Sequence, residues 1–295
     1  MWLSFIESVC YRKCMIKNFC SLIALDIDGT LAVKMQNIPP TVIHYLTTLH
    51  QQGVMFVFVT GRTFEFGHQV LKELPFSYYY AAHNGAILLS MPDRRVIIKK
   101  YLDCSVLLSM EKICESTSTD FVIYTGLEGN NLCYYRPSHF SHNLRYYLEK
   151  RRQSFNEEWI AVENFKEISF KEFPSVKCFG EEETAQYVAE RMEKNLELHA
   201  PVIKDPFDEG NYVVQATHSQ ANKGYALRQL IDQLGYEGVV IAAGDDLNDL
   251  SMFEQAHIKV AMADAPLQLK AKADIIAPPA SSLGIIKGLK EALAQ

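Results

Sequence analysis

The chain has 295 residues, of which 48% are hydrophobic and 22% charged, and its formal net charge is −6. This composition is typical of a globular protein and excludes a disordered or low-complexity chain. The net negative charge gives no reason to expect nucleic acid or an anionic membrane as a partner, and no apolar run is long enough to span a bilayer.

Residues 1–18 are predicted to form an N-terminal extension of undefined role. Their basic residues follow the apolar ones, which is the wrong order for a signal peptide, and Met15 is an alternative start to Met1. Cys10 and Cys14 have no second pair of ligands nearby, so two thiols on a helix face are favoured over a zinc site. The odd number of cysteines, seven, indicates a reducing compartment, and we expect a cytoplasmic protein.

Strand and helix patterns alternate in the first part of the chain. An apolar run at Leu22–Asp26 predicts a buried strand, and helical spacing of apolar residues follows at Pro40–Gln52. A second strand is predicted at Met55–Val59, a helix at Phe64–Leu74 and a third strand at Tyr78–Ala82. This order implies a parallel sheet with right-handed crossovers.

The pattern changes after the turn dipeptide Asn84-Gly85. A hairpin is predicted around Pro92-Asp93, and helices then alternate with pairs of strands, which is typical of an α+β domain. The α/β alternation returns with a helix at Lys223–Leu234 and a strand at Val239–Ala243. We therefore predict an α/β core built from residues 19–86 and 213–295, with an α+β domain, 87–212, inserted between them.

Four polar clusters fall at the ends of predicted core strands or at the start of a core helix. Because parallel strands place their carboxyl ends on one edge of the sheet, we expect these clusters to converge. They are Asp26 and Asp28, Thr60-Gly61-Arg62, Asn222-Lys223-Gly224, and Gly244-Asp245-Asp246-Leu247-Asn248-Asp249.

Such a set suits phosphoryl transfer. Burying like charges is costly unless a cation compensates, and Mg²⁺ prefers oxygen ligands that include one or two carboxylates. Asp26 and Asp245 are the candidate ligands, with the backbone carbonyl of Asp28 as a third. A carboxylate can also attack phosphorus, and a second can move the protons. Lys223 would neutralise the charge on the phosphoryl oxygens. Thr60 and Asn248 would hold these oxygens by hydrogen bonds.

Other interpretations exist for several of these residues. Asp246 is expected to cap a helix, and Arg62 to form a structural ion pair rather than to act in catalysis. Thr60 could serve only the turn with Gly61, and Asn84 could be either a turn residue or a neighbour of the substrate.

Taken together, the motifs Asp-x-Asp-Gly-Thr-Leu, Val-Thr-Gly-Arg, Asn-Lys-Gly and Gly-Asp-x-x-Asn-Asp resemble those of the haloacid dehalogenase superfamily, Cof-like branch. The tail motif Val260-Ala261-Met262 also fits that branch, although Asp264 stands where the family often has Asn. The resemblance implies a Rossmann-like core and a C2B-type cap that closes over a phosphate site. It also implies a Mg²⁺-dependent phosphatase that acts on a small phosphorylated metabolite, such as a sugar phosphate, flavin mononucleotide or pyridoxal phosphate.

The resemblance implies a role for each matching residue. Asp26 corresponds to the nucleophile and Asp28 to the general acid/base, and both hold Mg²⁺ with Asp245. The positions that match phosphate-binding residues are Thr60, Gly61, Lys223 and Asn248. Asp249 corresponds to a supporting carboxylate, and Asn84 is placed near the substrate.

Two other functions remain open at this point: a sugar phosphomutase of the phosphomannomutase type, and a non-catalytic ligand-binding regulator. In the inserted domain, one or two polar side chains are expected to face a ligand, from a group comprising Tyr124, Arg136, His139, His142 and Arg145. The sequence does not indicate the substrate or the oligomeric state.

Overall fold

The structure, a computed structural model, describes residues 21–34, 36–155, 157–205, 208 and 210–295. The expected N-terminal extension, with Cys10 and Cys14, lies outside these residues. Within them, no helix is both long enough and apolar enough to cross a membrane.

The described residues form two main sheets and a two-stranded ribbon. The strands are β1 Leu22–Leu25, β2 Met55–Val59, β3 Tyr78–Ala82, β4 Ile87–Met91, β5 Arg95–Lys99, β6 Leu102–Asp103, β7 Phe121–Tyr124, β8 Cys133–Tyr135, β9 Trp159–Ala161, β10 Glu172–Phe173, β11 Ser175–Gly180, β12 Val202–Lys204, β13 Tyr212–Ala216, β14 Val240–Gly244, β15 Ile258–Met262 and β16 Ile275–Ala277. The α-helices are α1 Pro40–Gln51, α2 Phe64–Leu71, α3 Leu107–Cys114, α4 His142–Phe155, α5 Glu182–Leu196, α6 Lys223–Leu234, α7 Leu250–Phe253, α8 Leu267–Lys270 and α9 Gly284–Ala292.

The core sheet has eight strands in the order β16-β15-β14-β1-β2-β3-β4-β5. The six strands from β16 to β3 run parallel, and β1 lies between β14 and β2. Side chains of β1 alternate between two apolar layers: Ile23 and Leu25 pack with α1, α2 and α9, whereas Leu22 and Ala24 pack with α6 and α7. Helices on both faces explain why β1 is apolar throughout.

The sheet topology corrects the predicted domain boundaries. β4 and β5 extend the core sheet by antiparallel pairing, so residues 87–99 lie in the core and not in the insert. The reason is the tight turn at His83–Gly85, because strands joined by so short a connection pair with each other. At the other boundary, β13 pairs with β11 and β12, so Tyr212–Ala216 belongs to the inserted sheet.

We call residues 102–216 the cap. Its main sheet has the order β12-β13-β11-β7-β8-β9 and is antiparallel except between β8 and β9. Helices α3 and α5 cover one face of this sheet, and α4 packs on part of the other. The uncovered part of that second face contributes Lys177, Val213 and Gln215 to a cavity shared with the core.

Candidate active site

The polar residues predicted from the sequence converge at the carboxyl edge of the core sheet. Asp26 directly follows β1, Thr60 follows β2 and Asp245 follows β14. Because these strands lie side by side and run parallel, their ends carry the three side chains to one place. A cavity of about 150 Å³ opens there between core and cap. The predicted residues that line it are Asp26, Asp28, Thr60, Gly61, Asn84, Lys223, Asp245 and Asn248.

Lys223 is the central cation of the site. It is the first residue of α6, whose N-terminus is capped by the Asn222 side chain accepting from the Tyr225 backbone N–H at 2.8 Å. Its Nζ lies 2.6 Å from Asp26 Oδ1 and 2.6 Å from Asp249 Oδ1. Although burial disfavours the ammonium, the two carboxylates raise the pKa of Lys223, so its charge is fixed.

Asp249 is fully buried behind Lys223 and does not line the cavity. Its Oδ2 accepts from the backbone N–H groups of Asp245 and Asp246, at 2.9 and 3.0 Å. Asp246 accepts from the Leu247 N–H and completes a capping box with Asp249, as expected for a helix-capping residue. Asp249 therefore anchors both the lysine and the loop that carries Asp245.

The remaining carboxylate oxygens form a set that suits a divalent cation. Oxygens of Asp26, Asp245 and Asp249 lie within 4.8 Å of one another. Asp26 Oδ2 is buried and accepts no hydrogen bond from the described residues, and the nearest cation to Asp245 is Lys34, at 3.8 Å. Since both oxygens of Asp249 are occupied, Asp26 and Asp245 are the residues that fit Mg²⁺, which takes oxygen ligands.

Glycine is required beside this set. Gly29 has φ +82°, and a Cβ built on it would lie 2.1 Å from Asp245 Oδ2. The backbone after Asp28 therefore approaches the carboxylate more closely than any side chain would permit.

The electrostatics of the site also favour a cation. Burial raises the pKa of Asp26 to about 7, against the opposing effect of Lys223, and Asp249 and Asp28 add to the increase. Burial raises the pKa of Asp245 to about 9, with further contributions from Asp26 and Asp249. Buried carboxylates that lie close together behave in this way even beside a lysine, and a bound divalent cation would reverse the effect.

Asp28 lies at the mouth of the site in a bidentate ion pair. Its two oxygens accept from Arg62 Nε and Nη2, both at 2.6 Å. Arg62 also stacks on Phe66, with its guanidinium carbon 4.2 Å from the ring centroid. The pairing is the structural one expected for Arg62, and it holds Asp28 in a defined orientation.

Thr60, Asn84 and Asn248 form the amide and hydroxyl side of the site. Thr60 Oγ1 accepts from the Arg62 backbone N–H at 3.1 Å, so it does serve the turn. Asn84 is buried in the left-handed region at φ 55°, and its Oδ1 lies 3.5 Å from Asn248 Nδ2. Asn248 lines the cavity, and its Oδ1 is buried without a donor among the described residues, so the protein does not fully pair this amide.

The cap residues that line the cavity differ from those expected to face a ligand. None of the five expected side chains lines the described cavity: Arg136, for example, is buried in ion pairs with Asp120 and Glu111. The cap side is instead lined by Arg151, Glu157, Lys177, Pro201, Ile203, Lys204, Val213 and Gln215. A usable signal was present, because Lys177 and Gln215 each interrupt an otherwise apolar strand.

Comparison with known proteins identifies the family of the chain. A family model described as haloacid dehalogenase-like hydrolase matches residues 23–289. The phosphatase YwpJ of Bacillus subtilis (strain 168) is 25% identical over 291 residues, covering 92% of this chain and 99% of the relative.

Solved structures share the fold, and two of them serve as examples. A haloacid dehalogenase-like hydrolase from Bacteroides thetaiotaomicron aligns with a TM-score of 0.74 at 20% identity, covering 92% of this chain and 99% of its own. The subclass IIB sugar phosphatase BT4131 aligns with a TM-score of 0.72 at 23% identity, covering 92% and 98%. The predicted fold class, a Rossmann-like core with an inserted α+β cap, is confirmed. Because the family model spans nearly the whole sequence, the chain belongs to the haloacid dehalogenase-like hydrolases.

Proposed function

We propose that this protein is a Mg²⁺-dependent phosphatase of small phosphorylated metabolites, and that Asp26 carries the phosphoryl group between two half-reactions. Its class, a phosphoric monoester hydrolase, follows from the family and from phosphatase relatives. The observation that carries the mechanism is the buried contact of Lys223 Nζ with Asp26 Oδ1 at 2.6 Å, beside a second carboxylate, Asp245.

In the first half-reaction an Asp26 oxygen attacks phosphorus, and the bond from phosphorus to the ester oxygen breaks. Mg²⁺ held by Asp26 and Asp245, with the Asp28 carbonyl, would cancel the repulsion between the carboxylate and the phosphoryl oxygens. Lys223 balances the charge that develops on those oxygens, and Asn248 donates a hydrogen bond to them.

Asp28 is the proposed proton carrier. It gives a proton to the departing ester oxygen and later takes one from the water that attacks phosphorus and frees Asp26. Both Asp28 oxygens accept from Arg62, so this role requires that Arg62 release at least one of them when substrate enters.

A panel of phosphate esters, assayed for inorganic phosphate with Mg²⁺ and with EDTA, tests the proposal. We expect phosphate release from small phosphorylated metabolites with Mg²⁺ and none with EDTA. Isomerised sugar phosphate without free phosphate would identify a phosphomutase instead. No turnover of any ester would favour a ligand-binding regulator.

A further inference from the structure

Among the described residues, the cap side of the cavity carries more positive than negative charge. Arg151, Lys177 and Lys204 line it together with the carboxylate of Glu157. Arg151 is already committed, since its Nη1 lies 3.3 Å from Asp205 Oδ2. Glu157 Oε2 accepts from the Trp159 indole N–H at 2.8 Å.

Lys177 has no comparable partner. It is the third residue of β11, between the buried residues Val176 and Cys178, and Lys177 itself is only 7% exposed. Its Nζ lies 4.9 Å from the centroid of the Tyr124 ring, and across the described residues it makes no hydrogen bond and has no carboxylate within 4.0 Å. Burial, with Arg151 nearby, lowers the pKa of Lys177 to about 8, although Glu157 opposes the change. A buried ammonium of this kind is costly for the folded protein.

Gln215 lies directly beside it. β11 and β13 pair with Lys177 opposite Gln215, so the two side chains leave the cap sheet on the same face. Gln215 is 2% exposed, and its Nε2 has no acceptor among the residues described. Its Oε1 lies 3.3 Å from the position of a Cβ on Gly61, which places the amide against the phosphate-binding turn of the core.

A buried amide donor without an acceptor, Gln215, and a lysine without an ion-pair partner among the described residues, Lys177, therefore face one cavity from adjacent strands. We propose that Lys177 and Gln215 bind a negatively charged group, a carboxylate or a second phosphate, on the leaving-group side of the substrate. The inference rests on the proposed function, because it assigns the part of the ester that is not transferred. The stability cost of an unpaired lysine is then offset when the anionic ligand binds.

Matched pairs of esters test this subsite. 3-Phosphoglycerate and glycerol 3-phosphate share a carbon chain and differ by a carboxylate in place of a hydroxymethyl group. Fructose 1,6-bisphosphate and fructose 6-phosphate make the same comparison for a second phosphate. In each pair we call the member with the additional anionic group the charged ester, and the member whose only anionic group is one phosphate the neutral ester. We expect wild type to have a kcat/KM about tenfold or more higher for the charged member of at least one pair, and the pair that responds identifies the anion.

Lys177→Met removes the charge with little change in size. It should lower the ratio of kcat/KM for the ester with the extra anion to kcat/KM for its partner by about tenfold to a hundredfold. Because an uncompensated charge is removed, the variant should melt no lower than wild type. Lys194→Met makes the same change at an exposed position on cap helix α5. It should alter neither the ratio of the kcat/KM values for the two esters of a pair nor the melting temperature.

Binding is measured separately from turnover. In EDTA, the charged ester should raise the melting temperature of wild type more than its neutral partner does, and Lys177→Met should abolish that difference. Equal responses to both members of each pair, or an unchanged preference in Lys177→Met, would overturn the subsite even if the protein is a phosphatase. Absence of turnover with a preserved difference in binding would instead reject the proposed function and leave the anion site standing.

Discussion

Gly29→Ala perturbs the proposed metal site without replacing any of its ligands. The new Cβ would lie 2.1 Å from Asp245 Oδ2, where real contacts essentially never fall below 3.0 Å, so that carboxylate must retreat by about 1 Å. Mg²⁺ demands oxygen distances near 2.1 Å, so a shift of this size removes a ligand. We expect the Mg²⁺ concentration for half-maximal activity to rise by about tenfold to a hundredfold.

Gly53→Ala is the matched control. Gly53 has φ +97°, comparable to the +82° of Gly29, but a Cβ there meets nothing within 4 Å. Both variants should lose about 1–2 kcal/mol of unfolding free energy from the positive φ, whereas only Gly29→Ala should change the metal dependence. The assay is phosphate release across a Mg²⁺ titration, with urea unfolding in parallel. A wild-type Mg²⁺ dependence in Gly29→Ala, or an equal shift in Gly53→Ala, would refute the reasoning.

Two further predictions concern stability. Asp249→Ala leaves two backbone N–H groups without their acceptor and leaves Lys223 paired with Asp26 alone. Urea unfolding should therefore show a loss of about 2–5 kcal/mol in unfolding free energy, and a loss under about 1 kcal/mol would contradict the anchoring role. Burial, with Lys177 adding to the effect, lowers the pKa of His83 from 6.5 to about 3, so below pH 6.5 the unfolded chain takes up a proton that the folded protein does not. Between pH 7 and pH 5, wild type should therefore lose about 2 kcal/mol more unfolding free energy than His83→Gln does. Parallel profiles of unfolding free energy against pH for the two proteins would show that His83 is not the cause.

The core of the site could be predicted from the sequence because its parts are local. Asp26 and Asp245 each follow a short apolar run that predicts a buried strand, and parallel strands bring such ends together at one edge of the sheet. The helix that begins at Lys223 was predicted with its observed bounds, since Asn222 provides a cap and Gly235 an end.

The remainder depends on how the strands pair. The hairpin of β4 and β5 was assigned to the insert because the sequence pattern changes there, whereas pairing of β4 with β3 across the tight turn at His83–Gly85 keeps it in the core sheet. The helix that Asp246 was expected to cap begins with a 3₁₀ turn, Leu247–Asp249, and continues as the short α7. The cap residues were missed for a similar reason, since Lys177 and Gln215 acquire meaning only when β11 and β13 are paired and turned toward the core.

The central claim is that Asp26 forms a bond to phosphorus, and Asp26→Asn tests it most directly. The substitution keeps the size of the side chain and removes its nucleophilic charge. With saturating Mg²⁺ and the best ester of the panel, phosphate release should fall by about 10⁴-fold or more while the circular dichroism spectrum stays that of wild type. Turnover by the folded variant within about tenfold of wild type would contradict the account.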